Sequence, residues 1–139
     1  MLVALNAQGE SVDPRYRMLE HRRALLRGYA LDAWFGRFNP FPACWVAMRE
    51  GEVVGMVSGE PLVVLPMFDQ PPTARIDAIW VEPAHRRTGV ARAMVARFRE
   101  AATAGGYPRL QVTTLAKDAR AIAFWRALGL DDLQVVLSS

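Results

Sequence analysis

Residues 75–98 of this chain, RIDAIWVEPAHRRTGVARAMVARF, decide its fold. They read as a strand, a short polar turn and an amphipathic helix that begins at Gly89. The first turn of a helix has backbone N–H groups without intrahelical partners and carries about half a positive charge. Because Arg86, Arg87 and Arg92 surround that turn, the stretch predicts a binding site for a phosphorylated cofactor.

Composition indicates one globular domain. A length of 139 residues is enough for one buried core but short of two, so a single domain over 1–139 is expected. Apolar residues make up 52% and charged residues 22%, which excludes a disordered or fibrous chain. No apolar run approaches the roughly 18 residues that span a bilayer, so no membrane partner is expected. Residues 1–10 lack a signal-peptide pattern, and the cytoplasm is the expected compartment.

Charge and cysteine content argue against two further classes of function. The net charge of +3 is compatible with nucleic-acid binding, but the arginines are spread from Arg15 to Arg126. Most of them fit the solvated faces of helices, so no nucleic-acid partner is expected. The single Cys44 cannot form an internal disulfide and has no neighbours for a zinc site. No metal is predicted, and a small buried hydrophobe is the favoured role of Cys44.

The N-terminal half predicts two helices and a β-hairpin. An Asp-Pro pair begins the first helix, and a tight Glu-Gly turn joins the two strands of the hairpin. Proline cannot donate to a central ladder, so Pro61 predicts a bulge or bend before one further strand. The predicted boundaries are 14–27 for the first helix, an end near residue 36 for the second, strands over 43–49, 53–58 and 62–65, and a loop over 66–73.

The C-terminal half predicts a βαβ unit. Alternation along 75–81 places the odd-numbered residues on one face of a strand and the even-numbered residues on the other. The helix after Gly89 separates this strand from another over 110–115, so the two strands should be parallel. Asp118 caps a last helix, and 133–137 predict one final strand.

Two segments of this half resemble a known family. Residues 81–91, V-x-P-x-x-R-x-x-G-x-A, are similar to the acetyl-CoA signature R/Q-x-x-G-x-G/A of the GNAT superfamily of N-acetyltransferases. Residues 118–130, D-x-x-A-I-x-F-W-x-x-x-G-L, look like the second segment of that family, N-x-x-A-x-x-[LF]-Y-x-x-x-G-F. The resemblance implies a single-domain α/β (α+β) fold, with a central mixed, mostly antiparallel sheet that contains a splayed parallel pair and is flanked by helices. It also implies acetyl-CoA as co-substrate.

The resemblance implies where the cofactor binds. Backbone N–H groups of the turn would hold the CoA pyrophosphate, and small residues there let the backbone approach it closely. The pantetheine arm would lie between the splayed strands and bond to the backbone near Ile79 and Val81. The implied cofactor-binding residues are Ile79, Trp80, Val81, Arg86, Arg87, Thr88, Gly89, Val90, Ala91, Arg92, Asp118 and Trp125.

Asp77 is the candidate general base, acting directly or through water. It lies two residues before Ile79, at a position where some family members carry a catalytic histidine. An Asp with an ordinary pKa near 4 is a poor base at neutral pH, so partial burial would have to raise that pKa. The alternative role is a structural salt bridge with Arg75 or another arginine. Glu82 and Asp69 are weaker candidates.

The expected general acid is missing. Family members often use a tyrosine of the second segment to reach the CoA sulfur, and Trp125 stands in that place. An indole N–H is not a practical proton donor, so water, another side chain or unassisted departure of the thiolate must replace the phenol. Asp118 replaces the usual Asn, and a helix cap is its favoured role. An exposed turn position is favoured for His85 over a phosphate contact.

These observations predict transfer of an acetyl group from acetyl-CoA to a primary amine, by direct attack on the thioester. The acceptor would be a small molecule or a peptide, and Trp34, Phe35, Phe38 and the 66–73 loop are candidates for its pocket. The alternative is a catalytically silent acyl-CoA-binding module, because Trp125 replaces the tyrosine. The short C-terminal tail leaves an open sheet edge, which predicts a homodimer.

Overall fold

The computed structural model describes residues 11–13, 40–63 and 67–137, and the strands among them form one four-stranded sheet in the order β1-β2-β3-β4. The strands are β1 (Cys44–Arg49), β2 (Glu52–Leu62), β3 (Thr73–Val81) and β4 (Arg109–Val112). β2 is antiparallel to both β1 and β3, whereas β3 and β4 are parallel. The predicted mixed, mostly antiparallel sheet with one parallel pair is confirmed.

Two α-helices flank the sheet within the described residues. The crossover helix α1 (Val90–Ala104) packs on one face of the sheet, and α2 (Ala119–Arg126) follows β4. The apolar stripe predicted for α1 is confirmed, and its buried members are Met94, Val95, Phe98 and Ala102. The helices described in the structure are too short or too polar to traverse a bilayer. The two predicted N-terminal helices, at 14–27 and up to residue 36, lie outside the described residues.

The predicted hairpin is confirmed, and the irregularity predicted near Gly59 is present as a register shift after Ser58, but the predicted division of the second strand is wrong. β2 continues through Pro61 to Leu62 and pairs with β3 over that length. Gly59 N–H donates to Ala43 O at 2.9 Å, so the backbone of Gly59 and of every second residue faces the β1 side. β1 begins opposite Ser58, so the missing N–H of Pro61 faces no strand of the described chain. The proline therefore removes no ladder bond.

A β-bulge interrupts the pairing of β2 with β3. Ser58 lies opposite Ala78, whereas the next residue of β2, Gly59, lies opposite Ile76. β3 thus contains one residue more than β2 in this interval, and that residue is Asp77. Asp77 is accordingly the point at which the alternation of faces along β3 changes.

The bulge corrects the predicted faces of β3. Ile76 precedes the bulge, Ile79 and Val81 follow it, and all three contact the core beneath α1. The odd and even division predicted for 75–81 is therefore right for Ile79 and Val81 but wrong for Ile76. One extra residue shifts the two-residue period, so the strand presents apolar side chains to α1 on both sides of the bulge.

At the centre of the core, Gly59 of β2 lies in close contact with Phe98 of α1. Phe98 of α1 is fully buried, and a Cβ built on Gly59 would lie 2.5 Å from its Cζ atom and would overlap the Arg75 carbonyl oxygen. The ring of Phe41 packs edge-on against Phe98, with 5.7 Å between the ring centres. Any side chain at Gly59 would force α1 away from the sheet.

Three smaller predictions have different outcomes. β4 ends at Val112, earlier than the predicted 110–115, and the predicted strand over 133–137 is wrong because 131–137 have no regular structure and are exposed. Local β-propensity forms no strand there, since no described strand lies beside the tail. Cys44 is half-buried, and this burial raises the pKa of its thiol.

We expect Gly59→Ala to destabilise the protein by about 3 kcal/mol, because overpacking a filled core costs about 1 to 3 kcal/mol and the backbone overlap adds to it. Urea unfolding followed by circular dichroism measures this change. Gly51→Ala is the control for a Cβ without a clash: it meets nothing within 4 Å, and only its positive φ of 83° costs about 1 to 2 kcal/mol, so Gly59→Ala should lose more stability. Equal stability of the two variants would contradict the proposed contact.

Candidate functional site

The parallel strands β3 and β4 separate at their carboxyl ends and form a fork. Their register runs from Thr73 opposite Arg109 to Ile76 opposite Val112, and there it stops. β3 continues to Val81 without pairing with β4. The separation begins at Asp77, the extra residue of the bulge. The splay implied by the sequence resemblance is thus present.

Backbone groups of β3 face into this fork. Glu82 N–H donates to Val54 O at 2.9 Å, so the backbone of Glu82 faces β2. N–H and C=O groups alternate sides along a strand, and those of Ile79 and Val81 therefore face away from β2. No strand of the described chain pairs with this edge beyond Ile76. Unpaired polar backbone groups along an open edge can bond an extended ligand.

The turn between β3 and α1 lies at the same end of the fork. It consists of a short 3-10 helix (Pro83–His85) followed by two residues with positive φ, Arg87 at 64° and Gly89 at 86°. Thr88 Oγ1 donates to the His85 carbonyl oxygen at 2.7 Å and closes the turn. Only glycine adopts the conformation of Gly89 without strain, which accounts for the glycine in the signature.

The N-terminus of α1 offers donors to an anion. Gly89 is the N-cap, no side chain caps the helix, and its first turn contains no acidic residue. The first intrahelical bond runs from Ala93 N–H to Gly89 O at 3.0 Å, so the N–H groups of Val90, Ala91 and Arg92 precede the ladder. These donors and the positive end of the helix dipole together suit a phosphate group.

The three arginines of the turn differ in their contacts. Arg86 Nε donates to the Val81 carbonyl oxygen at 2.9 Å, and its guanidinium stacks 4.6 Å from the centre of the Trp80 ring. Arg87 and Arg92 are exposed and make no ion pair or hydrogen bond with the residues that the structure describes. Arg87 and Arg92 are therefore the cations that are best placed to meet a bound anion.

Asp77 forms an ion pair at the base of the fork. Its Oδ1 accepts from Arg75 Nε at 2.7 Å, and Nη2 of the same arginine donates to Glu60 Oε1 at 2.5 Å. The side chains of all three residues are between 24% and 33% exposed, although Asp77 as a whole residue is exposed. The guanidinium therefore bridges two carboxylates that solvent still reaches. The predicted salt bridge between Arg75 and Asp77 is confirmed.

The weaker candidates for a base have other contacts. Glu82 accepts from Trp80 Nε1 at 3.3 Å, and Asp69 lies in the exposed part of the loop before β3. His85 lies in the turn, as predicted, but it is half-buried rather than fully exposed, and its Nδ1 lies 3.4 Å from Nη1 of Arg49.

The second segment contributes a cap and a core residue. Asp118 Oδ1 accepts from Ala121 N–H at 3.0 Å, which confirms its favoured role as the N-cap of α2. Trp125 is 5% exposed and belongs to the core cluster, with its ring packed against Phe124. The indole at this position thus packs within the described core, and its N–H has no hydrogen-bond partner there. Of the predicted acceptor pocket, Trp34, Phe35 and Phe38 lie outside the described residues.

Three features of the site have no signal in the sequence. The bulge at Asp77, the contact of Arg86 with Trp80 and the bridge from Arg75 to Glu60 each depend on the register between separate strands or on a side chain that turns back. A fourth is the hydroxyl of Ser58, which is fully buried and has no hydrogen-bond partner among the residues that the structure describes. Residue type alone does not distinguish these positions from ordinary surface or core.

The chain belongs to the acetyltransferase (GNAT) family, whose model matches residues 9–130. It is an N-acetyltransferase, and acetyl-CoA is its co-substrate, as in the family as a whole. The fork, the turn and the open start of α1 are the parts of this chain that fit the cofactor. No curated protein sequence matches the chain significantly.

Solved structures share the fold at low sequence identity. BH1408 from Bacillus halodurans, solved as a tetramutant, has a TM-score of 0.75 at 17% identity, covering 99% of this chain and 87% of that chain. The aminoglycoside N-acetyltransferase AAC(6')-Iy, solved with CoA, has a TM-score of 0.69 at 23% identity, covering 87% and 90%. AAC(6')-IG from Acinetobacter haemolyticus has a TM-score of 0.68 at 17% identity, covering 88% and 82%.

We expect Gly89→Glu to weaken the binding of CoA at least about 30-fold, because a side chain at positive φ costs about 1 to 2 kcal/mol and its carboxylate would repel phosphate. Isothermal titration calorimetry measures the affinity. Gly106→Glu is the matched control, since Gly106 has a φ of 92°, also meets nothing within 4 Å and follows the other end of α1. Unchanged CoA affinity in Gly89→Glu would refute the location of the site.

Proposed function

We propose that the enzyme transfers the acetyl group of acetyl-CoA to a primary amine by direct attack within the fork between β3 and β4. The observation that carries this proposal is the end of pairing at Ile76 and Val112, which leaves the backbone of Ile79 and the N–H group of Val81 open beside the turn, while the Val81 carbonyl oxygen accepts from Arg86. The pantetheine arm would lie along this edge, and the pyrophosphate would meet the start of α1. The thioester would then lie near Asp77.

Direct attack has three chemical requirements. The amine must be neutral, its nitrogen lone pair must reach the carbonyl carbon, and the C–S bond must break to release a thiolate. An N–H group that points into the fork, such as that of Ile79, can donate to the carbonyl oxygen as negative charge develops on it. The products are an amide and CoA, which takes up one proton.

Asp77 is the proposed base that accepts, directly or through water, the proton that the substrate ammonium loses before the neutral amine attacks. Its carboxylate lies where the strands part. The ion pair with Arg75 uses Oδ1, and Oδ2 makes no hydrogen bond or ion pair with the residues that the structure describes. Arg75 would fix the orientation of this carboxylate.

Departure of the thiolate needs no strong acid. A thiol with a pKa near 8.5 is a tolerable leaving group, and water can protonate the thiolate afterwards. Trp125 packs in the core in place of the family tyrosine, so the proposal assigns no acid to the second segment. The family match supports the enzyme over the alternative from the sequence, an acyl-CoA-binding module without catalysis.

The acceptor class is suggested by the structural neighbours. Two of them are aminoglycoside N-acetyltransferases, and one complex of AAC(6')-Iy contains a bisubstrate analogue built on acetylneamine. A small polyamine is therefore the first class of acceptor to test, together with peptide N-termini.

We expect Asp77→Asn to lower kcat/KM for the best acceptor about 100-fold, since a positioned general base contributes about 10²- to 10⁴-fold. The affinity for CoA should stay the same, because the fork and the turn are unchanged. Glu100→Gln is the control, as Glu100 is also a carboxylate paired with an arginine, Arg97, but lies on the exposed face of α1. Release of CoA is followed with a panel of aminoglycosides, small diamines and peptides.

This experiment distinguishes an enzyme that uses Asp77 as its base from an enzyme that does not, and from a module that binds acyl-CoA without catalysis. Equal turnover in Asp77→Asn and the wild type would rule out Asp77 as the base. Tight CoA binding without turnover on any acceptor would favour the silent module.

We further propose a homodimer in which the C-terminal tail is covered. Four large apolar residues of the tail are exposed, from 56% at Leu133 to 89% at Leu137. An apolar cluster of this kind on a monomer marks an interaction site. β4 also has no second partner among the described strands, so its outer edge can accept one.

We expect multi-angle light scattering at micromolar concentration to give the mass of a dimer for the wild type and of a monomer for Val135→Glu combined with Leu137→Glu. Two carboxylates would have to be buried in the interface, which is costly. Val63→Glu is the control, since Val63 is equally exposed but lies at the end of β2. A monomeric wild type would disprove the dimer.

A further inference from the structure

Arg86 lies in the turn before α1, but its side chain reaches back to β3. Its Nε donates to the Val81 carbonyl oxygen at 2.9 Å while its guanidinium carbon lies 4.6 Å from the centre of the Trp80 ring. Both contacts depend on the planar shape of the guanidinium, which stacks on a ring through its face and donates hydrogen bonds in its plane. Arg86 thus joins the turn to the end of the strand.

The surface that Arg86 contacts is itself fixed. Trp80 is 8% exposed, and its Nε1 donates to Glu82 Oε1 at 3.3 Å. A buried indole cannot rotate away without disturbing the residues packed around it. The guanidinium is therefore held by a rigid partner, unlike an arginine that pairs with a mobile surface carboxylate.

The rest of the turn is closed by local hydrogen bonds. His85 N–H donates to Glu82 O at 2.8 Å, Arg86 N–H donates to Pro83 O at 3.3 Å, and Thr88 Oγ1 donates to His85 O at 2.7 Å. These bonds make the segment stiff. A long contact of 3.4 Å between His85 and Arg49 links the turn to β1, and the side chain of Arg86 links it to β3, so Arg86 fixes the start of α1 relative to the open edge of β3.

The distance between the start of α1 and the open edge of β3 matters because the cofactor is one covalent molecule. Its pantetheine arm and its pyrophosphate are separated by a fixed number of bonds, so both can bind well only if the fork and the helix start keep their spacing. A tie between the two parts lowers the entropy that is lost when the cofactor binds.

Arg87, the next residue, provides the contrast. It has the same charge, a φ of 64° and an exposed side chain that makes no hydrogen bond or ion pair with the described part of the chain. Nothing described in the structure holds its guanidinium on the protein. Arg86 and Arg87 are therefore adjacent arginines, one engaged with β3 and one open to a ligand.

We propose that Arg86 is a positioning residue, which holds the pyrophosphate turn against β3 through Val81 and Trp80, whereas Arg87 supplies the charge that meets the phosphates. The inference rests on the proposed use of this turn for CoA. It differs from the sequence-based expectation, in which both arginines contact the cofactor through their charge.

The test compares lysine and glutamine at the two positions by CoA titration calorimetry at low and high salt. Lysine keeps the charge but lacks the planar group, so Arg86→Lys and Arg86→Gln should both weaken binding about tenfold, as expected when a hydrogen bond and a stacked contact are lost. Their affinities should depend on salt as the wild-type affinity does, since screening acts on charges that meet the ligand. Arg87→Lys should bind as the wild type does, whereas Arg87→Gln should bind more weakly and depend less on salt.

Two results would overturn the inference. One is Arg86→Lys binding as tightly as the wild type while Arg86→Gln loses both affinity and salt dependence, which would make Arg86 a direct phosphate ligand. The other is wild-type affinity in both Arg86 variants, which would leave the contact without a role. Failure of the wild type to bind CoA would instead refute the proposed function, so the two failures are distinguishable.

A second variant, Trp80→Phe, leaves Arg86 in place and tests the same contact even if the arginine variants misfold. Trp80→Phe keeps a ring beneath the guanidinium but removes the hydrogen bond to Glu82 and part of the stacking surface. We expect about threefold weaker CoA binding with unchanged salt dependence. Combined with Arg86→Gln it should add little further loss, because both changes break one contact; a fully additive loss would contradict the coupling.

Discussion

The separation of β3 from β4 after the pair of Ile76 and Val112 is the constraint on which the site depends. A parallel ladder that continued would satisfy the backbone groups of β3 internally and leave no edge for a ligand. The extra residue at Asp77 marks the point where pairing ends, and it also returns Ile79 and Val81 to the core face. One local irregularity thus accompanies both an open edge and a continuous core. The ladder hydrogen bonds are missing only along the edge where a cofactor can form hydrogen bonds in their place.

The sequence predicts what local chemistry decides. The start of α1 at Gly89, the apolar stripe of α1 and the cap at Asp118 each follow from residues within a few positions, and all three are present. The parallel pair follows from the length of the crossover. The continuation of β2 through Pro61 cannot be predicted in this way, because it depends on which side of the strand pairs with another strand. The bulge is likewise a property of two strands together, and the exposed tail shows that β-propensity without a neighbour forms no strand.

The many arginines of this chain have different roles. Arg75 bridges two carboxylates at the fork and Arg97 pairs with Glu100 along α1, whereas Arg87 has no protein partner in the described structure. Ion pairs at this exposure contribute little to stability, about 0 to 1 kcal/mol each, so the core around Phe98 carries the fold. The arginines matter more for how they orient neighbouring groups. Composition and net charge cannot distinguish an arginine that orients protein from one that awaits a ligand.

The single cysteine has a practical consequence for work on this enzyme. Cys44 is half-buried in β1, and its raised thiol pKa means that less of it is thiolate at neutral pH than in a free cysteine. Thiolate is the species that reacts with aromatic disulfide reagents, so the protein itself consumes such reagents slowly. Acetyl transfer releases CoA, whose thiol is free and fully solvated. A continuous colorimetric assay of that thiol therefore has a low protein background, and no cysteine replacement is needed before acceptors are screened.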